Sequence, residues 1–195
     1  MPVTALQLAP AIQAQLNSQG LVGSFVTNLA SGVGIGIQNF VQTLVVQAQA
    51  FGTLGAGEGT GKWTLDPLSG MQILDTNIMA SALPGTDKSK IANGVAFGTA
   101  QVINSSAVVQ TAVAGVAVGS ETGAVINADP TAATSFIYSG LTSYGIVGPK
   151  AANLASGLGQ GIAIWFASGV VTNAVVGSPV FPFNPTTGLG TGKIT

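Results

Sequence analysis

The stretch from Leu16 to Ile37 (LNSQGLVGSFVTNLASGVGIGI) lies without a gap over Leu141 to Ile162 (LTSYGIVGPKAANLASGLGQGI), with 13 of 22 positions identical. A chain that repeats itself buries the same kind of face more than once, so the repeat has to be resolved before any fold is assigned. The offset of 125 residues is about twice 62, and a degraded middle copy, Ile91 to Gly98 (IANGVAFG), sits 62 after Leu29–Gly36 and 63 before Leu154–Gly161. Other markers keep the same spacing. Asp66-Pro67 returns as Asp129-Pro130, and Val45-Val46-Gln47 as Val108-Val109-Gln110. The tail Gly57 to Thr64 (GEGTGKWT) is echoed by Gly188 to Thr195 (GLGTGKIT). The chain therefore divides into three tandem units of about 65 residues, 1–66, a degenerate 67–129, and 130–195 with a C-terminal arm, expected to form one compact domain.

Periodicity changes twice within a unit. Ala5 to Leu16 (ALQLAPAIQAQL) spaces Leu6, Ile12 and Leu16 as a short helix that tolerates Pro10 only near its first turn or at a kink. Gly20-Leu21-Val22-Gly23 ends it. A second helix follows, opened in the third unit by Pro149 and running to about Phe40, Val102 and Phe166. Alternating Val-rich runs come next, Leu44 to Ala50, Val108 to Val118 and Val170 to Val176, and these read as strands. Each unit closes in a Gly/Thr-rich loop. The expected fold is α+β: three repeats of helix-turn-helix, Val-rich strand and Gly-rich loop, in pseudo-threefold or side-by-side packing around a shared core.

The second helix carries glycines that each cost about 1 kcal/mol relative to Ala. Gly32 and Gly36, Gly94 and Gly98, and Gly157 and Gly161 are spaced i, i+4 and share a face. A strip without side chains admits another backbone, which points to close packing inside the protein or to a subunit interface. Phe181 and Phe183, in the run PVFPFNP, and Ile194 beyond it are the expected anchors of an extended C-terminal arm that docks on assembly, with Ile194 placed as Trp63 is.

Composition excludes more than it suggests. Charged residues make up 6% of the chain, against about a quarter in an ordinary soluble domain, so a free monomer would be poorly protected against association. There is no Arg or His and the net charge is −1, which argues against a nucleic-acid surface. Without Cys there are no disulfides, thiol nucleophiles or zinc thiolates, and the carboxylates are too dispersed for a metal site. The two GTGK segments fail as phosphate loops: Ala56 and Thr187 stand where the first Gly belongs, and Trp63 and Ile194 follow the lysines. Asp66 and Asp129, each before Pro, read as turn formers ahead of catalytic carboxylates. No catalytic, cofactor or metal residue is assigned, and the chain is expected not to be an enzyme.

The combination of G-[LI]-V-G, NLASG-x-G-x-G-I and a Val-rich stretch ending in GTGK-x-T resembles structural proteins of tailed bacteriophages, in particular the T4-like phages of marine and cyanobacterial hosts. The resemblance implies a virion component, a head decoration or cement protein or a neck, tail or baseplate subunit. Its partners would be other virion structural proteins and further copies of itself. The alternative is a membrane-inserting or pore-forming protein built on the GxxxG-like helices, since residues 1 to 57 carry no formal charge.

Overall fold

The computed structural model describes residues 5–42, 45–53, 56–82, 85–105, 107–113, 118–126, 129–167, 170–177 and 186–194, and the side chains of 8–42, 65–82, 85–105 and 129–167. The elements are α1 (Ala5–Ser18), α2 (Ser24–Val41), β1 (Val45–Thr53), β2 (Ala56–Thr64), α3 (Pro67–Ala80), α4 (Lys88–Ser105), β3 (Ala107–Val113), β4 (Val118–Ile126), α5 (Pro130–Ser143), α6 (Pro149–Ala167), β5 (Val170–Gly177) and β6 (Thr186–Ile194). The order helix, helix, strand, strand occurs three times.

Local chemistry sets the helix boundaries. Asp66 and Asp129 are the N-caps of α3 and α5, each followed by Pro at the first helical position, where no N–H is needed. The Asp66 carboxylate accepts from the N–H groups of Leu68 and Ser69, and Asp129 from that of Thr131. The turns between the two helices of each unit rest on left-handed residues at matching places: Gly20, Ala82 and Gly145, then Gly23, Gly85 and Gly148. In the outer units Leu21 N–H donates to Leu16 O and Ile146 N–H to Leu141 O, the long bond that closes a helix C-terminus over a left-handed residue. Pro10 lies inside α1 and the helix runs through it, with the ring on the exposed side.

The six helices form a closed ring in which each packs on the next and α6 packs back on α1. The short helices α1, α3 and α5 contribute three buried residue sets at equivalent repeat positions: Leu8, Gly70 and Ala133; Ile12, Leu74 and Ile137; Leu16, Ile78 and Leu141. The long helices answer with Leu29, Ile91 and Leu154, then Val33, Val95 and Leu158, then Ile37, Thr99 and Ile162, all buried. Spacings of four residues put these on one stripe of each long helix, turned toward the middle of the ring. Removing such large aliphatic side chains from water contributes roughly 1.5 to 3 kcal/mol each.

The backbone of the six strands pairs as a closed antiparallel meander, β1 to β6, with β6 hydrogen-bonded to β1. Each hairpin comes from one unit, and units one and three share its register: Gly52 faces Gly57 and Lys62 faces Gln47, while Gly177 faces Gly188 and Lys193 faces Thr172. The link from strand to helix ring is held by Asn104 at the end of α4, whose side-chain oxygen accepts the Leu65 N–H at 2.9 Å and whose amide donates to Leu65 O at 3.3 Å.

The α+β expectation is corrected. Over the residues whose side chains are described, 83% are helical and none is in a strand, and the packed core is a helical bundle to which the buried Leu65 and the partly buried Leu21 and Ile146 add from outside the helices. The physical reason is that the glycine strips let six helices close on themselves and bury their aliphatic stripes without a sheet. The Gly/Thr-rich segments are corrected as well: they are not loops, because small residues opposite Val-rich runs complete a ladder, and β2 and β6 are their products. The C-terminal segment is thus no free arm, since β6 pairs with β5 and β1 of its own chain.

Candidate functional site

Each glycine pair of a long helix faces the short helix of the next unit, at a distance that leaves no room for a Cβ. A Cβ on Gly36 would stand 3.0 Å from Leu74 Cγ, and one on Gly32 2.8 Å from Ser81 Oγ. On Gly98 it would meet Ile137 Cα at 2.7 Å, and on Gly94 Leu141 Cα at 2.7 Å. Gly161 and Gly157 make the same approach to α1, with Cβ positions 2.8 Å from Ile12 Cα and 2.6 Å from Leu16 Cδ2. The partners Leu74, Ile137 and Ile12 are equivalent residues, so the three seams are one contact used cyclically. All six glycines named from the sequence therefore lie at seams between units of one chain. Phe181 and Phe183 lie outside the described residues. Ile194 ends β6 opposite Val171, matching Trp63 opposite Val46, and its side chain is not among those described.

Two features of the seams are not apparent from that spacing. Gly34 and Gly159, the middle glycines of the repeated motif, face the short helix of their own unit, close to Ala9 and Thr134. The extra Gly in G-x-G-x-G was the signal: it lies on the opposite flank of the helix from the i, i+4 pair. The Asn of NLASG also has a seam role. Asn28 donates to Ala82 O and Asn153 to Gln19 O, each at 3.2 Å and each reaching the turn of the next unit around the ring.

The turns converge at one end of the ring around a cavity of about 660 Å³. Its floor includes Ile91 and Leu154, and its wall Leu21, Phe25 and Ile146. Val22 and Val147, at equivalent positions on the rim, are 73% and 74% exposed. Thr86, Asp87, Lys88 and Lys150 complete the polar part, and Asp87 is engaged by Lys90 at 2.8 Å.

Comparison with known families, curated proteins and solved structures finds no match. The chemistry of this chain has to be read from its own residues. Asp66 and Asp129 cap helices on the exposed surface and do not line the cavity. The Ser69 hydroxyl, together with the Leu68 and Ser69 N–H groups, holds the Asp66 carboxyl below the usual carboxylate range. Among the described residues there is no group of three or more Asp, Glu, His or Cys placed to hold a metal ion. No described helix is long and apolar enough to cross a membrane, which leaves a pore built on the glycine-bearing helices without support.

Proposed function

We propose that the chain is a non-enzymatic structural subunit of a tailed-phage particle, one polypeptide standing in for a trimer where the particle offers a three-way or sixfold position. The observation that carries this reading is the closure of the ring: Gly161 meets Ile12 as Gly36 meets Leu74 and Gly98 meets Ile137. A ring closed by one repeated contact is the geometry of a cyclic oligomer. Joining the three units covalently fixes their number and order and lets each unit differ where it meets its surroundings. The scarcity of charge suits a molecule that spends little time free, and the resemblance of its repeated motifs supplies the particle. Mass spectrometry of gradient-purified particles made in cells carrying this gene tests the reading. Recovery at fixed stoichiometry in the particle fraction is expected; recovery in the detergent phase, with none in particles or soluble oligomers, would overturn it.

A further inference from the structure

The cavity where the turns converge is where the threefold equivalence of the ring breaks. Its floor keeps the pattern, with Ile91 and Leu154 at one repeat position and both buried, as is their equivalent Leu29, which does not line the cavity. One turn higher the equivalent residues are Phe25, Asp87 and Lys150, and the next set is Val26, Lys88 and Ala151. A chain with only 6% charged residues has thus gathered Asp87, Lys88, Lys90 and Lys150 at one spot. Because Lys90 engages Asp87, the surplus at the mouth is the positive charge of Lys88 and Lys150 over an apolar floor. A threefold-symmetric partner would want three equal sectors. A single asymmetric occupant suits one sector that is aromatic and two that are cationic.

We propose that this bowl receives the carboxy-terminal end of one partner polypeptide, with its α-carboxylate held by Lys88 and Lys150 and its last apolar side chains on Leu21, Phe25 and Leu154. Charge complementarity selects a carboxylate-bearing guest, and about 660 Å³ is within the range of sites that take small ligands or a few residues. The choice of a chain end over a free fatty acid follows from the shape of the site. The rim valines are about three-quarters exposed, so the bowl stands open to solvent where a long alkyl chain would be left half wet, whereas a chain end enters from outside and continues away. This inference rests on the assembly reading for its partner, but the test does not require particles.

The test is a titration of the isotope-labelled full chain, followed by NMR, with three probes: the hexapeptide acetyl-Gly-Ser-Gly-Ile-Val-Leu as the free acid, the same peptide as its carboxamide, and decanoate. The free acid is expected to shift the methyl resonances of Val22 and Val147, and the carboxamide to bind at least tenfold more weakly. The double variant Lys88→Gln, Lys150→Gln should lose at least tenfold in affinity while keeping a cooperative melting curve, Lys150 being exposed and Lys88 half-buried. Val147→Glu, placing a like charge on the rim, should weaken the free acid more than the carboxamide. Equal affinity for acid and amide, no shift with the free acid, or binding of decanoate alone would each overturn the proposal. A chain that binds the acid but is missing from purified particles would remove the virion reading and leave the docking site standing.

Discussion

Gly161 and Ile12 belong to opposite ends of the chain, yet a Cβ on Gly161 would lie 2.8 Å from Ile12 Cα, closer than real Cβ atoms come to backbone. This contact closes the helix ring, and its partner is main chain that cannot rotate aside. Gly161→Ala gains about 1 kcal/mol in helix propensity but must push α1 outward, so a net loss of about 1 to 3 kcal/mol is expected, with Gly161→Leu failing to fold. Gly36 is different. A Cβ there would stand 3.0 Å from Leu74 Cγ and 3.2 Å from Leu74 Cα, a gap the neighbour can open by a few tenths of an ångström, so Gly36→Ala should cost less than Gly161→Ala. Urea midpoints at constant slope rank the two, and equal midpoints would remove the argument from close approach.

Thr99 tests the interior of the ring. Its equivalents in the other units are Ile37 and Ile162, all three are fully buried, and Thr99 Oγ1 meets no hydrogen-bond partner. A buried hydroxyl left unpaired costs on the order of 1 to 3 kcal/mol. Thr99→Val keeps the shape and removes the hydroxyl, so a gain of about 1 kcal/mol is expected in chemical denaturation. A loss would mean that the hydroxyl is satisfied in solution.

How much of this could be read in the sequence depends on the residue. The glycine pairs were legible because a helix tolerates glycine at i, i+4 on one face only where something comes close, and Asp66-Pro67 was legible as a boundary. The partners of those glycines were not. Nothing in local periodicity says that Gly36 meets Leu74 of the next unit where a contact within its own unit was equally open, because the direction of the ring is set by how all six helices fit together. Lys62 and Lys193 were misjudged for another reason. Gly-Thr-Gly-Lys has the composition of a loop, and only pairing with Gln47 and Thr172 turns it into a strand. The bowl was missed because its residues are scattered over three turns. The signal existed in the alignment of the units, where Phe25, Asp87 and Lys150 disagree most in chemistry.

The turn residues give a matched pair of tests. Ala82 has φ 54°, the one non-glycine residue with positive φ among those described, at the place where the other units have Gly20 and Gly145. A side chain in the left-handed region costs about 1 to 2 kcal/mol, partly offset by the lower unfolded-state entropy of Ala. Ala82→Gly should therefore raise stability by up to about 1 kcal/mol. Gly145→Ala has open space around it, so any loss there, about 1 kcal/mol, measures the backbone alone. Thermal melts of the two variants should move in opposite directions.

Asp66 gives the chain a pH dependence at low pH. The Ser69 hydroxyl and the N–H groups of Leu68 and Ser69 favour its ionised form, so the folded chain takes up this proton at lower pH than the unfolded chain does. Its contribution is then fully present above the unfolded value and disappears as pH falls through the folded one. Asp66→Asn keeps a capping side chain but does not titrate. The difference in urea midpoint between parent and variant should be constant near neutrality and shrink on acidification through the carboxylate range. A difference that grows on acidification would mean that folding disfavours the ionised Asp66 carboxylate.

The C-terminal strand supplies the last test. β6 lies between β5 and β1, so removing residues 186–195 leaves two strands with unpaired edges, whereas the closure of α6 on α1 does not pass through it. Unpaired edges are templates for association, and a chain with so little charge has few residues to block it. The truncated protein should retain its helical circular dichroism, lose amide protection in β1 and β5, and form larger species by light scattering than the parent does. Had the segment been a free docking arm, the truncated chain would keep the parent's size and protection and would fail only in incorporation. Hydrogen exchange along residues 46–52, the stretch of β1 that pairs with β6 and whose amides alternate between its two neighbours, separates the two cases, because a free arm leaves those amides as it found them.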